Sequence, residues 1–542
     1  MRGLMMDEQM TVTGLMKHAR VIFPESRIVS ITNDNDRHEY TFIECFDRAG
    51  KLANAMTKLG MEQGDIIGTI AWSDYRHMEI YYGIGCAGSV CHTINPRLFP
   101  EQLAYIIQHA EDKWLFIDPM FMPLIEALRD HIANVKGIIV LTSKSHMPDT
   151  SLENVMCYEE LLEPESNEYE WPELDENTAV SLCYTSGTTG NPKGVLYSHR
   201  AVVLQSYAAS SGAAMALSGQ DTVLPVVPMF HVNAWNLPYL IAITGSNVVY
   251  PGSKMGDGET LCDLINEYDI NFSAGVPTVW LELLNHLKKS GKRVDSLRNL
   301  VVGGSACPLS LMQEFEDGYD VYMNVGWGMT EMSPLGTYNN LKKPRSEYTD
   351  EEYAAIRIKA GRPIYGVQLK IVDEDDNALP HDGVAFGTLK VKGPWIVKNY
   401  FKRDEPLLDD KGWFDTGDVA TIDPDGYMAI TDRTKDVIKS GGEWISSIDL
   451  ENCAVGHPQV QEAGVIGIHH PKWDERPLLV VVKQADADLS GQDVLDYMKG
   501  KVAKWWMPDE VVFVDEIPHT ATGKISKLDL REQFKDFSFE NI

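Results

Sequence analysis

Strand-like and helix-like patterns alternate along the first two-thirds of the chain. The apolar spacing predicts an amphipathic helix over residues 40–59, a buried strand over 66–72 and a second helix over 77–88. Strands that alternate with helices are typical of βαβ units, in which successive strands run parallel in one sheet. The chain is therefore expected to have an α/β fold.

Two changes in composition mark expected boundaries. Residues 163–177 hold seven acidic side chains and two prolines, which is typical of a solvated connection, and a strand is predicted after it at 179–184. Between residues 362 and 430, short alternating segments separated by Gly and Pro predict a compact antiparallel β unit. A new α+β pattern begins after residue 431. Its predicted strands span 460–468 and 477–483, and its predicted helices span 494–504 and 527–534.

The charge balance limits the partners that this chain can bind. Its 542 residues include 48 Lys and Arg against 79 Asp and Glu, which gives a formal net charge of −31. Such an acidic surface repels polyanions, so binding to nucleic acid or to an anionic membrane is not expected. A ligand that carries phosphate must then be held by a local set of donors.

Cysteine usage and apolar runs favour a soluble, cytoplasmic protein. The eight cysteines are scattered without a Cys-x-x-Cys pair, which is typical of reduced and mostly buried thiols in a long chain. No run of about 18 apolar residues occurs, and the first residues lack the apolar core of a secretory signal. Stable insertion into a membrane is therefore not expected.

The strongest local signal is the segment YTSGTTGNPKG, which begins at Tyr184 directly after an apolar strand. Its glycines let backbone N–H groups approach phosphate oxygens, its hydroxyl groups add donors, and Lys193 adds a positive charge. A Walker A loop would place its lysine after glycine and before Ser or Thr, whereas Lys193 follows Pro192 and precedes Gly194. The segment predicts a phosphate-binding loop of another kind.

Several segments together resemble the adenylate-forming enzymes: acyl-CoA synthetases, carrier-protein adenylation domains and firefly-type luciferases. The phosphate loop is followed, in the order of that family, by PMFHVNAW (228–235), VVGGSA (301–306), GWGMTE (326–331), GWFDTGD (412–418), DRTKDVIKSGGEWIS (432–446) and TATGKI (520–525). Within the family, PMFHVNAWNLPY and IKSGGEWISSIDLEN resemble the fatty-acyl-CoA synthetases and the 3-methylmercaptopropionate-CoA ligases.

The resemblance implies a domain arrangement. A large N-terminal domain over residues 1–431, with two βαβ-type sheets and a small β-barrel, would bind ATP and the acyl substrate. Residues 432–436 would form a hinge, and a small α+β C-terminal domain over residues 437–542 would move and carry the catalytic lysine. A homodimer formed through the N-terminal region is implied by the resemblance alone.

The nucleotide-side segments contain residue types that suit ATP and Mg²⁺. An aromatic ring between glycines can lie against a flat base, and the resemblance implies that Trp327 stacks on adenine. Carboxylate oxygens are hard ligands, so Glu331 is expected on Mg²⁺, and the resemblance adds Thr185 to that site. The Asp418 carboxylate can accept both ribose hydroxyls, which is the role that the resemblance implies, with Arg433 as a second ribose or phosphate contact. The cofactor-binding set implied by the resemblance comprises Thr185, Ser186, Gly187, Thr188, Thr189, Gly190, Lys193, Gly303, Gly304, Ser305, Trp327, Gly328, Met329, Thr330, Asp418, Arg433, Lys435, Lys439 and Trp444.

The acid-side segments are typical of a pocket for an apolar acid. PMFHVNAW combines a titratable ring with aromatic walls, and the resemblance places His231 beside the carboxylate and makes Trp235 a gate on the acyl channel. Ser305 is not expected to be a nucleophile, because a Gly-x-Ser-x-Gly elbow would need glycine where Cys307 stands. The ring of Trp327 favours a shorter acid. The substrate pocket is expected to comprise His231, Val232, Asn233, Trp235, Gly303, Gly328 and Pro334.

Lys524, within TATGKI, has a specific use in this chemistry. Attack of a carboxylate on ATP brings two anions together, and an ammonium group that reaches both can offset their repulsion. The resemblance assigns this role, in the adenylation step, to Lys524. The expected catalytic set is Lys524, His231, Thr185 and Glu331.

The implied reaction has two halves: acyl-adenylate formation from the acid and Mg·ATP, then displacement of AMP by a thiol. By resemblance, the C-terminal domain rotates at Lys435 between them and brings residues 439–444 to the thiol channel. Coenzyme A is the expected thiol, since no carrier-protein region with an attachable serine follows residue 542. A short- to medium-chain acid is expected, with a long-chain fatty acid as the alternative. Other classes left open are a P-loop-type ATPase or kinase that releases ADP, a non-catalytic acyl-binding protein and a luciferase-like oxygenase.

Overall fold

A computed structural model describes residues 1, 3–32, 36–185, 191–441, 443–485, 487–520 and 524–539 of the chain. Within these residues, two large and largely parallel sheets form the N-terminal part, as the alternating pattern predicts. A small antiparallel sheet follows, and a separate α+β unit ends the chain. The predicted α/β class is confirmed.

The first large sheet has seven strands. All neighbouring strands run parallel except the last pair, which is antiparallel and flanks the predicted phosphate loop. In spatial order the strands are Val155–Cys157, Gly137–Val140, Trp114–Ile117, Ile66–Ile70, Val90–Thr93, Ala179–Tyr184 and Gly194–Ser198.

The second large sheet has nine strands. Its centre is parallel, and antiparallel strands complete both edges. In spatial order the strands are Arg362–Pro363, Leu335–Tyr338, Tyr322–Gly328, Asn299–Val302, Phe272–Gly275, Thr222–Pro225, Asn247–Tyr250, Arg27–Ile31 and Arg37–Thr41.

Helices cover the two large sheets, and their ends follow from capping residues. The helix predicted over 40–59 spans Phe42–Lys58, because Thr41 and Glu44 form a capping box before it. The helix predicted over 77–88 spans Tyr75–Gly85, because the Asp74 carboxylate accepts the N–H of His77 and caps it. Other helices of the N-terminal part are Val12–Ile22, Pro100–Ala110, Met122–Ala127, Tyr158–Leu162, His199–Ser210, Leu237–Thr244, Gly258–Glu267, Pro277–Ser290, Leu309–Tyr319 and Asp350–Arg357.

The β unit predicted over 362–430 is an antiparallel sheet of four strands. Its strands, in both chain and spatial order, are Gln368–Val372, Phe386–Lys392, Phe414–Ile422 and Met428–Arg433. The first and last strands are the two edges of this sheet. The β-barrel expected here is therefore an open sheet, because four strands in meander order pair only with their sequence neighbours.

In the residues that the structure describes, the C-terminal unit is a five-stranded sheet with three α-helices. Its strands are Ile438–Ser440, Glu443–Ile445, Val460–His470, Asp474–Lys483 and Glu510–Phe513, and its helices are Ser447–Val455, Gly491–Met498 and Lys527–Gln533. The helix predicted over 494–504 is misplaced. It begins at Gly491 after the Ser490 cap and ends at Met498, two residues before Gly500, whose φ of +76° a right-handed helix does not allow.

The hydrophobic core clusters divide the chain into an N-terminal part, with the two large sheets and the small sheet, and the C-terminal unit. One core cluster joins the two large sheets and the small sheet, with members from Val12 to Met428. The C-terminal clusters draw only on residues from Ile438 onward. Among the described residues, the structure has no helix with both the length and the apolar character that crossing a membrane requires.

Candidate active site

The base of the predicted phosphate loop follows the strand Ala179–Tyr184. The N–H of Thr185 donates to the carbonyl of Lys193 at 2.9 Å, and the N–H of Lys193 donates to the Thr185 hydroxyl at 3.2 Å. This reciprocal pair closes the loop at its base. Ser186, Gly187, Thr188, Thr189 and Gly190 lie outside the described residues.

Tyr400 connects this loop to the predicted metal ligand. The Lys193 ammonium lies 4.8 Å from the centroid of the Tyr400 ring, and the Tyr400 hydroxyl donates to Glu331 Oε1 at 2.6 Å. Burial, and then the charge of Glu331, raise the pKa of Tyr400, so its hydroxyl stays a donor. Sequence reasoning missed Tyr400, which ends the segment GTLKVKGPWIVKNY outside every recognised motif.

Glu331 suits a hard cation. Glu331 is only 7% exposed, and its backbone carbonyl accepts a hydrogen bond from the N–H of Val397 at 2.8 Å. With Oε1 engaged by Tyr400, Oε2 makes no hydrogen bond within the part of the chain that the structure describes. Mg²⁺ is usually held by one or two carboxylates together with substrate phosphates. This donor set therefore fits Mg²⁺.

The loop that carries Glu331 is fixed by its neighbours. The Thr330 carbonyl accepts the Tyr197 hydroxyl at 2.6 Å, and the N–H of Met329 donates to the Pro334 carbonyl at 3.0 Å. Any β-carbon on Gly328 would collide with the Pro334 backbone, so glycine is required there. The turn thus holds Thr330 and Glu331 at the end of the strand Tyr322–Gly328.

Asp418 is held from two sides within the strand Phe414–Ile422, an inner strand of the small sheet. Strand register places it opposite Arg433, whose Nε lies 2.8 Å from Asp418 Oδ1, and the indole N–H of Trp327 donates to Oδ2 at 3.0 Å. Burial raises the pKa of Asp418, and the charge of Arg433 opposes this rise. The arrangement joins Trp327, Asp418 and Arg433, which lie far apart in the sequence, into one group.

Lys524 brings the C-terminal unit into this group. A β-carbon built on Gly304 would lie 3.9 Å from Lys524 Cε. Although the residue as a whole keeps exposed surface, its ammonium end is desolvated, and this burial, followed by the charge of Arg433, lowers the pKa of Lys524. The carboxylates of Asp418 and Glu331 act in the opposite direction. The charge of Lys524 therefore interacts with the acidic residues of both preceding segments.

His231 lies on the acid side of the same space. Burial, and then the positive charges of Lys524 and Arg97, lower the pKa of His231 to about 4. The guanidinium of Arg97 stands 5.8 Å from the centroid of the Phe230 ring, next to the histidine. The imidazole is therefore neutral at physiological pH and can accept or donate one hydrogen bond.

A left-handed turn follows His231. Residues 232–236 all have positive φ, from +48° at Val232 to +61° at Asn236. This conformation costs roughly 1–2 kcal/mol per non-glycine residue, and Asn tolerates it best. Val232 is 4% exposed within the main core, and the fully buried Asn233 accepts the Ser181 hydroxyl at 3.0 Å, so both anchor the turn from beneath.

The glycine segment 303–305 lies against this turn. A β-carbon on Gly303 would stand 2.8 Å from Trp235 Cη2 and 3.1 Å from the Gly326 carbonyl, so only glycine leaves room for the indole. Gly304 has a φ of +85°, and Ser305 is exposed. Trp235 and Gly303 thus form one wall, next to the strand that leads to Trp327.

Two predicted residues of the C-terminal unit, Lys439 and Trp444, contact each other, and Lys435 of the expected hinge contacts another part of that unit. The Lys439 ammonium stands 5.5 Å from the Trp444 ring centroid, and that ring stands 5.5 Å from the Phe386 ring of the small sheet. The N–H of Lys439 donates to Glu475 Oε2 at 2.9 Å. The Lys435 carbonyl accepts a 3.4 Å hydrogen bond from Arg531. The roles of Lys435, Lys439 and Trp444 stay predictions.

Comparison with known proteins gives a family for this arrangement. The profile of the family described as AMP-binding enzyme matches residues 18–401, and that of the AMP-binding enzyme C-terminal domain matches residues 449–524. The chain is 50% identical over 537 residues to a 3-methylmercaptopropionyl-CoA ligase of Ruegeria lacuscaerulensis, with 99% of each chain covered. It is 46% identical over 536 residues to a medium-chain-fatty-acid–CoA ligase of Ectopseudomonas oleovorans, with 99% of this chain and 98% of the other covered.

The fold is also found in solved structures. The crystal structure of the anthranilate CoA ligase AuaEII in complex with anthranoyl-AMP superposes with a TM-score of 0.86. The match covers 97% of both chains at 23% sequence identity. At that identity the likeness bears on the fold alone, which agrees with the predicted arrangement of large sheets and a smaller C-terminal unit.

Proposed function

Because this chain belongs to the AMP-binding enzyme family, we propose that it is an AMP-forming acyl-CoA ligase. It would activate a short- to medium-chain carboxylic acid as its acyl-adenylate and transfer the acyl group to coenzyme A. The observation that carries the proposal is the position of Lys524, whose Cε would lie 3.9 Å from a β-carbon on Gly304 and whose charge acts on the pKa of Asp418 and of His231.

In the first half-reaction, a carboxylate oxygen of the acid forms a bond to the α-phosphorus of ATP, and pyrophosphate leaves. Two anions must meet, so the ammonium of Lys524 would stabilise the charge that both bring to the reacting centre. Trp327 would bind the adenine and Asp418 the ribose hydroxyls. A Mg²⁺ ion held by Glu331 would neutralise phosphate charge when bound.

His231 would orient the acid. A neutral imidazole donates one N–H to the carboxylate of the acid. It forms no ion pair with the carboxylate, and such a pair would make the carboxylate a weaker nucleophile. The low pKa of His231 keeps the imidazole neutral across the physiological range. Trp235 and Gly303 would close the pocket over the first carbons of the acyl chain.

In the second half-reaction, the sulfur of coenzyme A forms a bond to the acyl carbon, and AMP leaves with the electron pair of the broken C–O bond. This step needs a path for the thiol to a centre that Lys524 covers. We propose that the unit after residues 432–436 rotates at Lys435, so that Lys524 leaves and residues 439–444 approach. Residues 1–431 would stay in place as the N-terminal domain.

The acid is proposed from the relatives. Both curated relatives named above act, by name, on acyl groups of short or medium length. We propose 3-methylmercaptopropionate or a medium-chain fatty acid as the substrate. A preference for a long-chain acid would instead favour the alternative stated from the sequence.

Location and assembly belong to the same proposal. The chain has eight free cysteines, of which seven are buried and one, Cys453, is partly buried. Free thiols suit a reducing cytoplasm. We propose a cytoplasmic homodimer that forms through the N-terminal region. Sedimentation of the purified chain tests the dimer, and a monomer across the micromolar range would contradict it.

The nucleotide product tests the proposed activity. Purified protein is incubated with Mg·ATP, coenzyme A and carboxylic acids of three to sixteen carbons, including methylthio-acids, and nucleotides are separated by chromatography. We expect AMP and an acyl-CoA in equal amounts, only when both acid and coenzyme A are present. Release of ADP would favour an ATPase or kinase, and absence of turnover with every acid would favour a binding protein.

A further inference from the structure

Asn236, at the end of the left-handed turn, makes contacts that the proposed chemistry does not use. Its side chain is fully buried, and its Nδ2 donates to Gln205 Oε1 and to the Ser333 carbonyl, both at 2.7 Å. Gln205 is also fully buried, on the helix His199–Ser210. One amide group therefore joins three separate segments inside the protein.

The segments joined by Asn236 carry different parts of the site. Trp235 immediately precedes it and lies against Gly303 on the acid side. Ser333 follows Glu331 by two residues, has a φ of +57°, and donates its hydroxyl to the Trp395 carbonyl at 3.0 Å. The Ser333 carbonyl is thus a fixed point of the loop that holds the metal-side carboxylate.

The side-chain amides of Asn236 and Gln205 lower the stability of the fold. Asn236 Oδ1 and Gln205 Nε2 are buried and make no hydrogen bond within the described part of the chain. An unsatisfied buried polar atom destabilises a protein, so a pair of apolar residues would be the more stable choice if only packing mattered. Departures from the rule that buried polar atoms are hydrogen-bonded are expected mostly at functional sites.

We propose that Asn236 is a positioning residue that ties the Trp235 turn to the Glu331 loop, so that the acid pocket and the metal side act as one unit. The inference rests on the proposed function, because it assigns Glu331 to Mg·ATP and Trp235 to the acid. Asn is suited to this place in two ways: it tolerates positive φ, and its amide supplies two donors from one nitrogen.

Asn236→Gly tests the amide apart from the backbone conformation, because glycine adopts positive φ freely. The substitution removes the amide, its hydrogen bonds and its packing contacts, and it leaves the φ of the turn accessible. Binding of AMP, without metal, and of α,β-methylene-ATP with Mg²⁺ is measured by calorimetry. We expect the affinity for the Mg²⁺ complex to fall about tenfold, as for the loss of one or two buried hydrogen bonds, while the affinity for AMP stays within about twofold.

A matched control is Asn266→Ala. The Asn266 Nδ2 also donates to two carbonyl groups, those of Cys262 at 3.0 Å and Arg293 at 2.9 Å, on a helix away from the site. Its removal should leave both affinities unchanged. If Asn236→Gly does not fold, Gln205→Leu replaces it. That variant removes one acceptor of Asn236 and leaves the bond to Ser333, and we expect about a threefold loss for the Mg²⁺ complex alone.

The outcomes separate the inference from the proposed function. A wild-type protein that binds neither AMP nor the Mg²⁺ complex would contradict the proposed function. A wild-type protein that binds both, with folded variants that bind the Mg²⁺ complex equally well, would overturn only the role of Asn236. An equal loss of both affinities would mean a general structural role and would also overturn it.

Discussion

Lys524 and Gly304 face each other across the boundary between the C-terminal unit and the second large sheet. A β-carbon on Gly304 would stand 3.9 Å from Lys524 Cε. Gly304 follows the strand Asn299–Val302, and Lys524 lies just before the helix Lys527–Gln533 of the other unit. The two parts of the chain have separate cores, so this contact joins bodies that are each stable through their own packing.

Replacement of Trp327 by Phe should weaken ATP binding selectively. The ring remains for the base, but the 3.0 Å hydrogen bond from the indole N–H to Asp418 is lost. Hydrogen bonds to charged groups contribute about 1.5–3 kcal/mol, so we expect the KM for ATP to rise roughly tenfold or more, with the KM for the acid unchanged. Steady-state kinetics with each substrate varied in turn measures both values. Trp171→Phe, in the acidic connection, serves as the control. An unchanged KM for ATP in Trp327→Phe would mean that the hydrogen bond from Trp327 to Asp418 does not support ATP binding.

A methyl group at Gly303 should narrow the acid pocket. It would stand 2.8 Å from Trp235 Cη2 and 3.1 Å from the Gly326 carbonyl, and the backbone carbonyl cannot move freely. We expect Gly303→Ala to raise the KM for the acid at least tenfold, and more for longer chains, because the displaced indole occupies the channel. Gly256→Ala is the matched control, since a β-carbon there meets nothing within 4 Å. Equal kinetics for the two variants would place the acyl chain elsewhere.

Stability at low pH should depend on His231. Its pKa in the folded protein is about 4, against an ordinary value of 6.5, so the unfolded chain takes up a proton first as the pH falls. The stability contributed by the neutral His231 is therefore present above pH 6.5 and is lost between pH 6.5 and 4. The loss amounts to roughly 3 kcal/mol in the free energy of unfolding. His231→Asn removes this loss. Urea unfolding at pH 7.5 and 4.5 should show the variant gaining on the wild type at the lower pH.

The control for that measurement is His381→Asn, a substitution of an exposed histidine. It should change the free energy of unfolding by the same small amount at both pH values. If His231→Asn behaves in the same way, the pKa of His231 is not lowered in the folded protein, which would contradict the neutral state assigned to the buried imidazole below pH 6.5.

Periodicity and motif spacing predicted the features that depend on local residues. The parallel sheets follow from alternating strand and helix patterns, and the structure confirms them. The Trp327, Glu331, Asp418 and Lys524 segments were indicated by the resemblance of their motifs to a known family, and the roles of these residues stay predictions. The helix over 494–504 was misplaced, since apolar spacing continues past Met498 although Gly500 ends the helix.

Other features depend on tertiary contacts and leave little trace in the sequence. The left-handed turn contains Val232, Ala234 and Trp235, none of which favours positive φ, and it persists because Asn233 and Asn236 are bonded to distant segments. Tyr400 reaches Glu331 from a segment that is held beside the strand Gly194–Ser198, because the N–H of Phe401 donates to the Gly194 carbonyl at 2.8 Å. The place of Trp444 beside Phe386 depends on the orientation of one unit relative to the other, which no local pattern encodes.

The two half-reactions of a Lys524→Ala variant test the division of roles most directly. Acid-dependent exchange of pyrophosphate into ATP measures the first, and conversion of supplied acyl-adenylate to thioester with coenzyme A measures the second. We expect the exchange rate to fall by a factor of about 1,000 or more while the second rate stays within about threefold of the wild type, as for removal of a charge that acts in only one transition state. Equal loss of both rates, or retention of the exchange, would contradict the role of Lys524 in the adenylation step.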